Sequence, residues 1–428
     1  MTQVYIAYGR KRLKVNVPSE RLISVAEPRQ IPGAPNPRIL IEEALQNPVG
    51  LPPLKELVRS GQCVTIVTDD ITRPTPSKLM LEPVIEQLEA CGVQDEDIKI
   101  VFANGSHRPH TDEERVMLLG ETFARRFKIY DHSPFDKENL VDLGVTTRGT
   151  PVHINRHVAE ADVRILLGLI KPHAVAGYSG GGKSILPGVS GIDTIIADHS
   201  FEATGHHCSV LGVIDGNPIR SDIEEAAGML GPCFIVNAVL NTQKEIVAIV
   251  AGHMIQAHRR GAIILDGLVK VPISEKADIV IAGVSHPTSI SLYQSVNGVL
   301  NCVRLQEPIV KKGGTVILAS PCAEGIGQGP FYDLVKGASS PQEVFKKLQE
   351  PGFFVHDQWA AQLWALCLDA VHVIVVSDGI EVSLLESMLA QSAKSVEEAI
   401  IMASQQQGED SRIVVVPDAP YTLPYLVK

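Results

Sequence analysis

The feature that most constrains this chain is a series of continuous apolar runs, each followed by an amphipathic stretch. The runs have strand length and are apolar at consecutive positions, as strands of a sheet covered on both faces are. Between them lie segments with helical spacing, such as Ser77–Ala90 and Pro218–Met229. The alternation predicts an α/β fold with largely parallel sheets flanked by helices. The predicted strands are Cys63–Val67, Ile98–Ala103, Val163–Leu169, Phe234–Leu240, Asp278–Ala282, Thr315–Ala319, Val371–Val376 and Ile413–Val416.

The chain is long enough for more than one hydrophobic core. It has 428 residues, and single cores rarely grow beyond roughly 250–300 residues. A helical pattern over residues 253–269 is followed by a short Pro-containing segment and a fresh series of strands and helices. We therefore predict an N-terminal domain over residues 1–270 and a C-terminal α/β domain over residues 271–428.

Charge and cysteine usage narrow the range of partners. The formal net charge is -11, which argues against a nucleic-acid or anionic-membrane partner because phosphate binding needs concentrated Lys and Arg. No apolar run approaches the roughly 20 residues that cross a bilayer, and no signal peptide is visible. The seven cysteines are scattered without a CxxC pair, as in a protein with reduced thiols. We expect a cytoplasmic protein; its oligomeric state stays open.

Polar residues gather directly after two of the predicted strands. Residues 68–76 contain Asp69, Asp70, several hydroxyls and Arg73, and residues 104–111 contain His107. Ligand groups collect at the carboxyl ends of strands in open α/β sheets. Arginine suits a bound carboxylate or phosphate, and histidine suits acid–base chemistry near neutral pH. The alternatives are a helix-capping turn for the first segment and a surface histidine for the second.

The third polar segment, residues 171–188, follows the strand Val163–Leu169 and is rich in glycine. Its residues 177–184 match G-x-x-x-x-G-K-[ST], the phosphate-binding loop of nucleotide triphosphatases. Such a loop must lead straight into a helix, whereas Pro187-Gly188 follows within one turn and breaks a helix. The alternative is a loop that approaches an anion closely, with Lys183 as a covalent anchor.

Taken together, these segments resemble the nickel-dependent lactate racemase family. The resemblance rests on Asp69-Asp70-x-Thr72-Arg73-Pro74, on Gly-x-His107-Arg108, on Lys171-Pro172-His173 with the Lys183 loop, and on His199, in the same order along the chain. It is strongest between residues 68 and 200 and extends over most of the sequence. Any one of these motifs alone would be weak evidence; their order is what identifies the family.

The resemblance implies a nickel-pincer nucleotide, a pyridinium mononucleotide that holds nickel through two thio groups and a ring carbon. Lys183 would carry it covalently, and His199 would supply the remaining nickel ligand, giving the planar four-coordinate geometry that nickel favours. The residues that would hold the nucleotide are Asp70, Thr72, Ser179, Gly180, Gly181 and Gly182.

The resemblance also implies racemisation or C2-epimerisation of a small 2-hydroxy acid. His107 and His173 would act as the acid–base pair on opposite sides of the substrate, with Arg73 near the reacting centre. The C-terminal domain would add substrate contacts through Tyr293, Gln294 and Asn297, so the active site is expected in the cleft between the domains.

One position departs from the family pattern and bears on the substrate. The family's substrate-binding lysine three residues after Gln294 is Asn297 here, so a substrate other than lactate is expected, because Asn297 can hydrogen-bond hydroxyls or another polar tail. The alternative is a polar helix face without a catalytic role. Two other functions remain open at this point, a P-loop-type nucleotide-binding enzyme and a non-catalytic carboxylate- or phosphate-binding protein on the same scaffold.

Overall fold

The computed structural model describes residues 1–327, 329–350 and 352–427. Its strands are β1 (Thr2–Gly9), β2 (Lys11–Val17), β3 (Leu22–Val25), β4 (Val64–Asp69), β5 (Ile98–Ala103), β6 (Lys128–Asp131), β7 (Leu140–Val145), β8 (Pro151–Asn155), β9 (Val163–Leu169), β10 (Pro172–His173), β11 (Gly177–Tyr178), β12 (Cys233–Leu240), β13 (Ile246–His253), β14 (Lys270–Ile273), β15 (Ala277–Ser285), β16 (Val310–Ala319), β17 (His372–Val376), β18 (Gln391–Ala393), β19 (Ile413–Val416) and β20 (Leu423–Leu426).

Helices connect most of these strands. They are α1 (Pro37–Gln46), α2 (Leu54–Leu57), α3 (Ser77–Ala90), α4 (Asp112–Leu119), α5 (Glu121–Arg126), α6 (Arg156–Ala159), α7 (Ile192–Asp198), α8 (Phe201–Gly205), α9 (Pro218–Gly228), α10 (Gln256–Val269), α11 (Leu292–Val303), α12 (Phe331–Val335), α13 (Pro341–Leu348), α14 (Gln358–Ala370), α15 (Val382–Ser387) and α16 (Val396–Gln407). Among the described residues, no helix combines the length and apolar character needed to span a bilayer.

The first sheet has six strands in the order β13-β12-β9-β4-β5-β6. All neighbours run parallel except β12 and β13, which form an antiparallel pair. The apolar runs predicted as covered strands lie here at the centre, and both faces of β9 and β4 are buried. Because the strands are parallel, the segments that follow β4, β5 and β9 emerge at one edge of the sheet.

The second sheet has eight strands and takes in both ends of the chain. Its path is β18-β17-β16-β15-β1-β2, with β19 also paired to β15 and β3 paired to β19. The N-terminal strands β1 and β3 run parallel to their partners β15 and β19. The first 25 residues therefore complete the sheet of the C-terminal half. The predicted domain boundary between residues 270 and 271 falls after α10. It assigns β1, β2 and β3 to the N-terminal domain, whereas these strands pair within the sheet of the C-terminal half.

The fold class is confirmed: two mainly parallel sheets are flanked by helices. Each predicted strand occurs, with bounds that shift by a few residues, and Ser77–Ala90 is one helix. The helical region that follows β15 is divided into a 3₁₀ turn, Thr288–Ile290, and α11. The division places the N-terminus of α11 beside the edge of the first sheet, where the polar segments emerge.

Candidate active site

A cavity of about 230 Å³ lies where the carboxyl edge of the first sheet meets α11 and the start of α14. Its walls come from the segments after β4, β5 and β9 on one side and from the C-terminal half of the chain on the other. The predicted site residues that line it are Asp70, Arg73, His107, His173, Ser179, Gly180, Lys183, His199, Tyr293, Gln294 and Asn297. Side chains widely separated in sequence thus share one enclosed space between the two sheets.

His107 and Asp70 form a hydrogen-bonded pair at the cavity wall. Nδ1 of His107 contacts the Asp70 carboxylate, and the hydroxyl and backbone N–H of Thr72 donate to the other oxygen at 2.6 and 3.1 Å. Burial raises the pKa of Asp70, but the bonds with His107 and the nearby Arg73 charge outweigh it, and the pKa falls to about 2. The carboxylate is therefore ionised and holds the Nδ1 proton, which leaves Nε2 of His107 free to accept a proton.

His173 is held in the opposite way. Its Nδ1 accepts the backbone N–H groups of Val175 and Ala176 at 3.4 and 3.3 Å, so the neutral ring carries its proton on Nε2. Burial lowers the pKa of His173 well below its usual range, and the charges of Lys183 and Arg73 lower it further. His173 is therefore a neutral imidazole. Both histidines face their protein partners through Nδ1, His107 as a donor to Asp70 and His173 as an acceptor of two backbone N–H groups.

The glycine-rich segment turns sharply to bring Lys183 into the cavity. Gly180 has φ +78°, and a Cβ there would lie 2.7 Å from Oδ1 of Asn237, so this position requires glycine. Residues Gly181–Ser184 form a single 3₁₀ turn, and no α-helix begins until α7. A phosphate-binding loop needs a helix directly after its lysine, so the formal match to that motif does not correspond to the structure of a P-loop.

Lys183 lies half-buried at the wall of the cavity. Burial and the charge of Arg220 together lower its pKa to about 7, against the opposing charge of Asp198. A large fraction of the side chain is thus a neutral amine near neutral pH, which is the nucleophilic form.

Three residues predicted to hold the cofactor lie behind the cavity wall. Thr72 supports Asp70 as described and receives a hydrogen bond from Arg73 at 3.0 Å. The N–H of Gly181 donates to Oδ1 of Asn237 at 2.8 Å, and a Cβ on Gly182 would contact α9. In this structure they shape the wall from behind and do not line the cavity.

His199 follows the last residue of α7 and faces an aromatic ring. Its ring centroid lies 5.2 Å from that of Trp359. Nδ1 is buried without a hydrogen-bond partner among the described residues, although Oδ2 of Asp198 lies 3.0 Å away. Burial raises the pKa of Asp198, and the neighbouring His199 opposes that rise. An imidazole with a carboxylate behind it is a common arrangement for a metal ligand.

The C-terminal half contributes one helix face to the cavity. Ser291 caps α11, and Tyr293, Gln294 and Asn297 lie on its first turns. Nδ2 of Asn297 donates to the backbone oxygen of Gln294 at 2.8 Å, which fixes the amide and leaves its oxygen as an acceptor. Burial raises the pKa of Tyr293, so the phenol keeps its proton.

The cavity residues that the sequence did not predict include Asp357 and Trp359, from the start of α14. Asp357 precedes α14 with φ +62°, a left-handed conformation that is uncommon outside glycine and typical of strained functional positions. Burial raises its pKa, while His356 and His107 act against the rise. The only sequence signal was the polar and aromatic run at residues 356–359, just before a helix. Nothing in that run indicates contact with His107, which is 250 positions away in the sequence.

The histidine–cysteine run His206-His207-Cys208 lies outside this cavity. Its potential ligand atoms lie within 4.8 Å of one another, so the three neighbours do point toward a common space. None of the three was predicted as a site residue from the sequence.

Comparison with known proteins gives consistent results over nearly the whole chain. Residues 8–212 match the model of the lactate racemase N-terminal domain, and residues 273–420 match that of the lactate racemase C-terminal domain. The lactate racemase of Thermoanaerobacterium thermosaccharolyticum is 32% identical over 98% of both chains. That of Lactiplantibacillus plantarum is 33% identical over 88% of both.

A solved structure agrees with these sequence matches. The lactate racemase apoprotein from Thermoanaerobacterium thermosaccharolyticum superposes with a TM-score of 0.91 at 31% identity, covering 99% of this chain and 100% of that chain. The resemblance stated from the ordered motifs is thereby confirmed, and the chain belongs to the lactate racemase family of isomerases.

Proposed function

We propose that the chain interconverts the two C2 configurations of a small 2-hydroxy acid with a nickel-pincer nucleotide attached at Lys183. The observation that carries the proposal is one cavity lined by Lys183, His199, His107 and His173 and closed by Gln294 from the other half of the chain. A covalent anchor, an imidazole ligand, two acid–base groups and a polar amide are thus combined in one site.

The residues present fit the proposed cofactor. The amine of Lys183, with its pKa lowered to about 7, is reactive enough to form an amide-type bond. The buried imidazole of His199, for which the described part of the chain offers no hydrogen-bond partner at Nδ1, is a nitrogen donor of the kind that nickel accepts. When bound, the cofactor would supply a reversible acceptor for the hydrogen at C2.

The two histidines divide the proton transfer. His107, with Nδ1 bonded to Asp70, takes the hydroxyl proton at Nε2 as C2 loses its hydrogen and the substrate becomes a planar 2-keto acid. Return of hydrogen to the opposite face gives the other configuration. The forming alkoxide takes its proton from the histidine on that side, which donates as an imidazolium after taking up a proton from solvent. Because the hydroxyls of the two enantiomers point in different directions, one histidine cannot serve both.

His173 must change its hydrogen bonding to act as a base. Its Nδ1 accepts two backbone N–H groups, so Nε2 becomes an acceptor only when Nδ1 carries the proton and these contacts break. At 3.3 and 3.4 Å the contacts are long, and losing them costs about 1 kcal/mol or less. Bound substrate is expected to favour this rearrangement.

The substrate carboxylate is proposed to lie between Arg73 and Gln294, with the phenol of Tyr293 as a further donor. Asn297 and Asp357 line the same cavity and offer oxygen acceptors to hydroxyl groups. This favours a 2-hydroxy acid with a polar tail over lactate, whose methyl group needs no acceptor.

The test is intact mass and nickel content of the protein, co-expressed with the enzymes that make the cofactor. We expect added mass on the peptide containing Lys183 and about one nickel per chain. The variant Lys183→Met should carry neither, whereas the surface variant Lys312→Met should carry both. Loaded protein is then offered a panel of single-enantiomer 2-hydroxy acids and analysed by chiral chromatography. An unmodified chain, or a loaded chain that leaves every acid optically unchanged, would refute the proposal.

A further inference from the structure

A second, smaller cavity contains two lysines that face one tyrosine ring. Its volume is about 30 Å³, and Leu169 lines both this cavity and the first one. Nζ of Lys244 is 3.0 Å from the ring centroid of Tyr421, and Nζ of Lys171 is 5.9 Å from it. The remaining wall is mainly apolar and includes Leu240, Leu265, Leu268 and Val269.

The charge on Lys244 is not compensated by a hydrogen bond. Among the described residues its Nζ is buried and has no hydrogen-bond partner. The tyrosine ring contributes a cation–π attraction, which is weaker than the cost of removing an ammonium group from water. Lys244 also holds φ +69°, an uncommon conformation for a residue with a side chain. The fold therefore keeps a lysine where neither its charge nor its backbone is favourable.

Lys171 adds a second cation to the same cavity. Burial lowers its pKa to about 7, and the charges of Arg73 and Lys244 act in the same direction, while Asp69 opposes them. Burial also lowers the pKa of Lys244 to about 8, with only Asp418 acting against it. The carboxylate of Asp418 accepts the backbone N–H of Ser285 at 3.2 Å. Two ammonium groups thus share a space that contains no carboxylate in its wall.

We propose that this cavity binds one small monovalent inorganic anion of halide size between Lys171 and Lys244. The two ammonium groups supply the charge and the hydrogen-bond donors. The apolar wall favours an anion that gives up its water readily. A space of about 30 Å³ suits a single ion of this size and is small for a phosphoryl group that continues into a ribose.

The anion would tie together three segments that are distant in sequence. Lys171 follows β9, Lys244 lies in the turn between β12 and β13, and Tyr421 lies between β19 and β20. It would therefore connect the edge of the first sheet to the last segment of the chain. A ligand that binds only the folded protein raises its stability by mass action.

The experiment compares thermal unfolding of the full chain in sodium bromide and in sodium methanesulfonate at constant ionic strength. At a bromide concentration about tenfold above its Kd we expect Tm to rise by about 1–3 °C. Lys244→Met should abolish the bromide-specific rise, while the surface control Lys312→Met should keep it. An equal Tm in the two salts, or an unchanged rise in Lys244→Met, would overturn the proposal.

Two further measurements keep the test decisive. If Lys244→Met does not fold, crystals of the unsubstituted protein in bromide decide the matter: an anomalous peak between the two Nζ atoms supports the site, and its absence rejects it. The same Tm comparison is made on cofactor-loaded protein. Persistence of the bromide effect supports a free inorganic anion, whereas its loss on loading would assign the site to the nucleotide phosphate and overturn the proposal.

Discussion

The substitution Asp70→Asn tests whether the Asp70–His107 pair sets up the proposed base. Asparagine has nearly the same shape, so packing is preserved, but its amide can donate a hydrogen to Nδ1 of His107. The ring would then carry its own proton on Nε2, facing the substrate as a donor instead of an acceptor. The variant is therefore expected to bind substrate normally and to lose turnover per loaded cofactor.

The magnitude follows from the environment of the carboxylate. Its surroundings lower the pKa of Asp70 from 3.8 to about 2, which corresponds to about 2.4 kcal/mol in favour of the ionised form. If the same preference stabilises the imidazolium that forms in the transition state, its loss reduces kcat by about 50-fold. KM is expected to change by less than about threefold, because the proposed carboxylate contacts are made by other residues.

The assay is steady-state racemisation by loaded protein, with the exposed Asp410→Asn as a matched control of the same chemical change. Nitrogen NMR of the unloaded protein gives an independent readout: His107 should protonate at Nδ1 in the unsubstituted chain and at Nε2 in Asp70→Asn. Retention of kcat within about twofold, or a loss confined to KM, would refute the reasoning. So would an unchanged His107 tautomer accompanied by full loss of activity, since Asp70 would then act by another route.

Three further predictions concern the anchor, the metal ligand and the substrate. Lys183→Met should raise the stability of unloaded protein by about 1–2 kcal/mol at pH 7. Because the pKa of Lys183 is lowered to about 7, the unfolded chain binds more protons than the folded chain between about pH 7 and 10. The free energy of unfolding of the unsubstituted chain should therefore rise with pH in this range, more steeply than that of Lys183→Met. Denaturant titrations at several pH values measure the difference. His199→Ala should keep the added mass on Lys183 and lose most of the nickel, measured by elemental analysis, and full nickel retention would contradict the proposed ligand. Asn297→Lys should raise kcat/KM for lactate about tenfold relative to hydroxylated acids, whereas an unchanged ratio would remove Asn297 from specificity.

The fold was predictable because its signal is local. Continuous apolar strands such as Val163–Leu169 must be covered on both faces, and that requirement alone indicates a parallel α/β sheet. The pairing of β1 with β15 left no such signal, because nothing in residues 2–9 states which of two sheets they will join. Long-range pairing depends on the whole core, and a short alternating strand is compatible with either sheet.

Topology alone indicated the candidate site only where its residues follow strand ends, whereas His199, Tyr293, Gln294 and Asn297 were predicted from the family resemblance. His107 and His173 each come a few residues after a recognisable strand, and Lys183 lies in the glycine-rich segment that follows the same strand as His173, so their convergence at one sheet edge follows from parallel topology. Asp357 and Trp359 enter the cavity from the start of α14, and their positions depend on how the two sheets face each other. Thr72 and Gly182 belong to the right motifs but lie behind the wall, since sequence indicates a segment's location more reliably than the direction of each side chain.

The cations near the site share a cost that argues for bound ligands. The pKa of Lys183 and that of Lys171 are both lowered to about 7 by burial, and His173 is kept neutral partly by their charges. A fold selected for stability alone would replace such lysines with apolar side chains of similar size. In the proposed enzyme the amide-type bond removes the charge at Lys183, and an anion would neutralise the charge at Lys171 and Lys244. Loading should therefore stabilise the chain by more than the new contacts alone provide. The rise in Tm on cofactor loading can be compared between the unsubstituted chain and Lys244→Met, which lacks the Lys244 charge. If the rise in the unsubstituted chain is no larger, the two sites are independent.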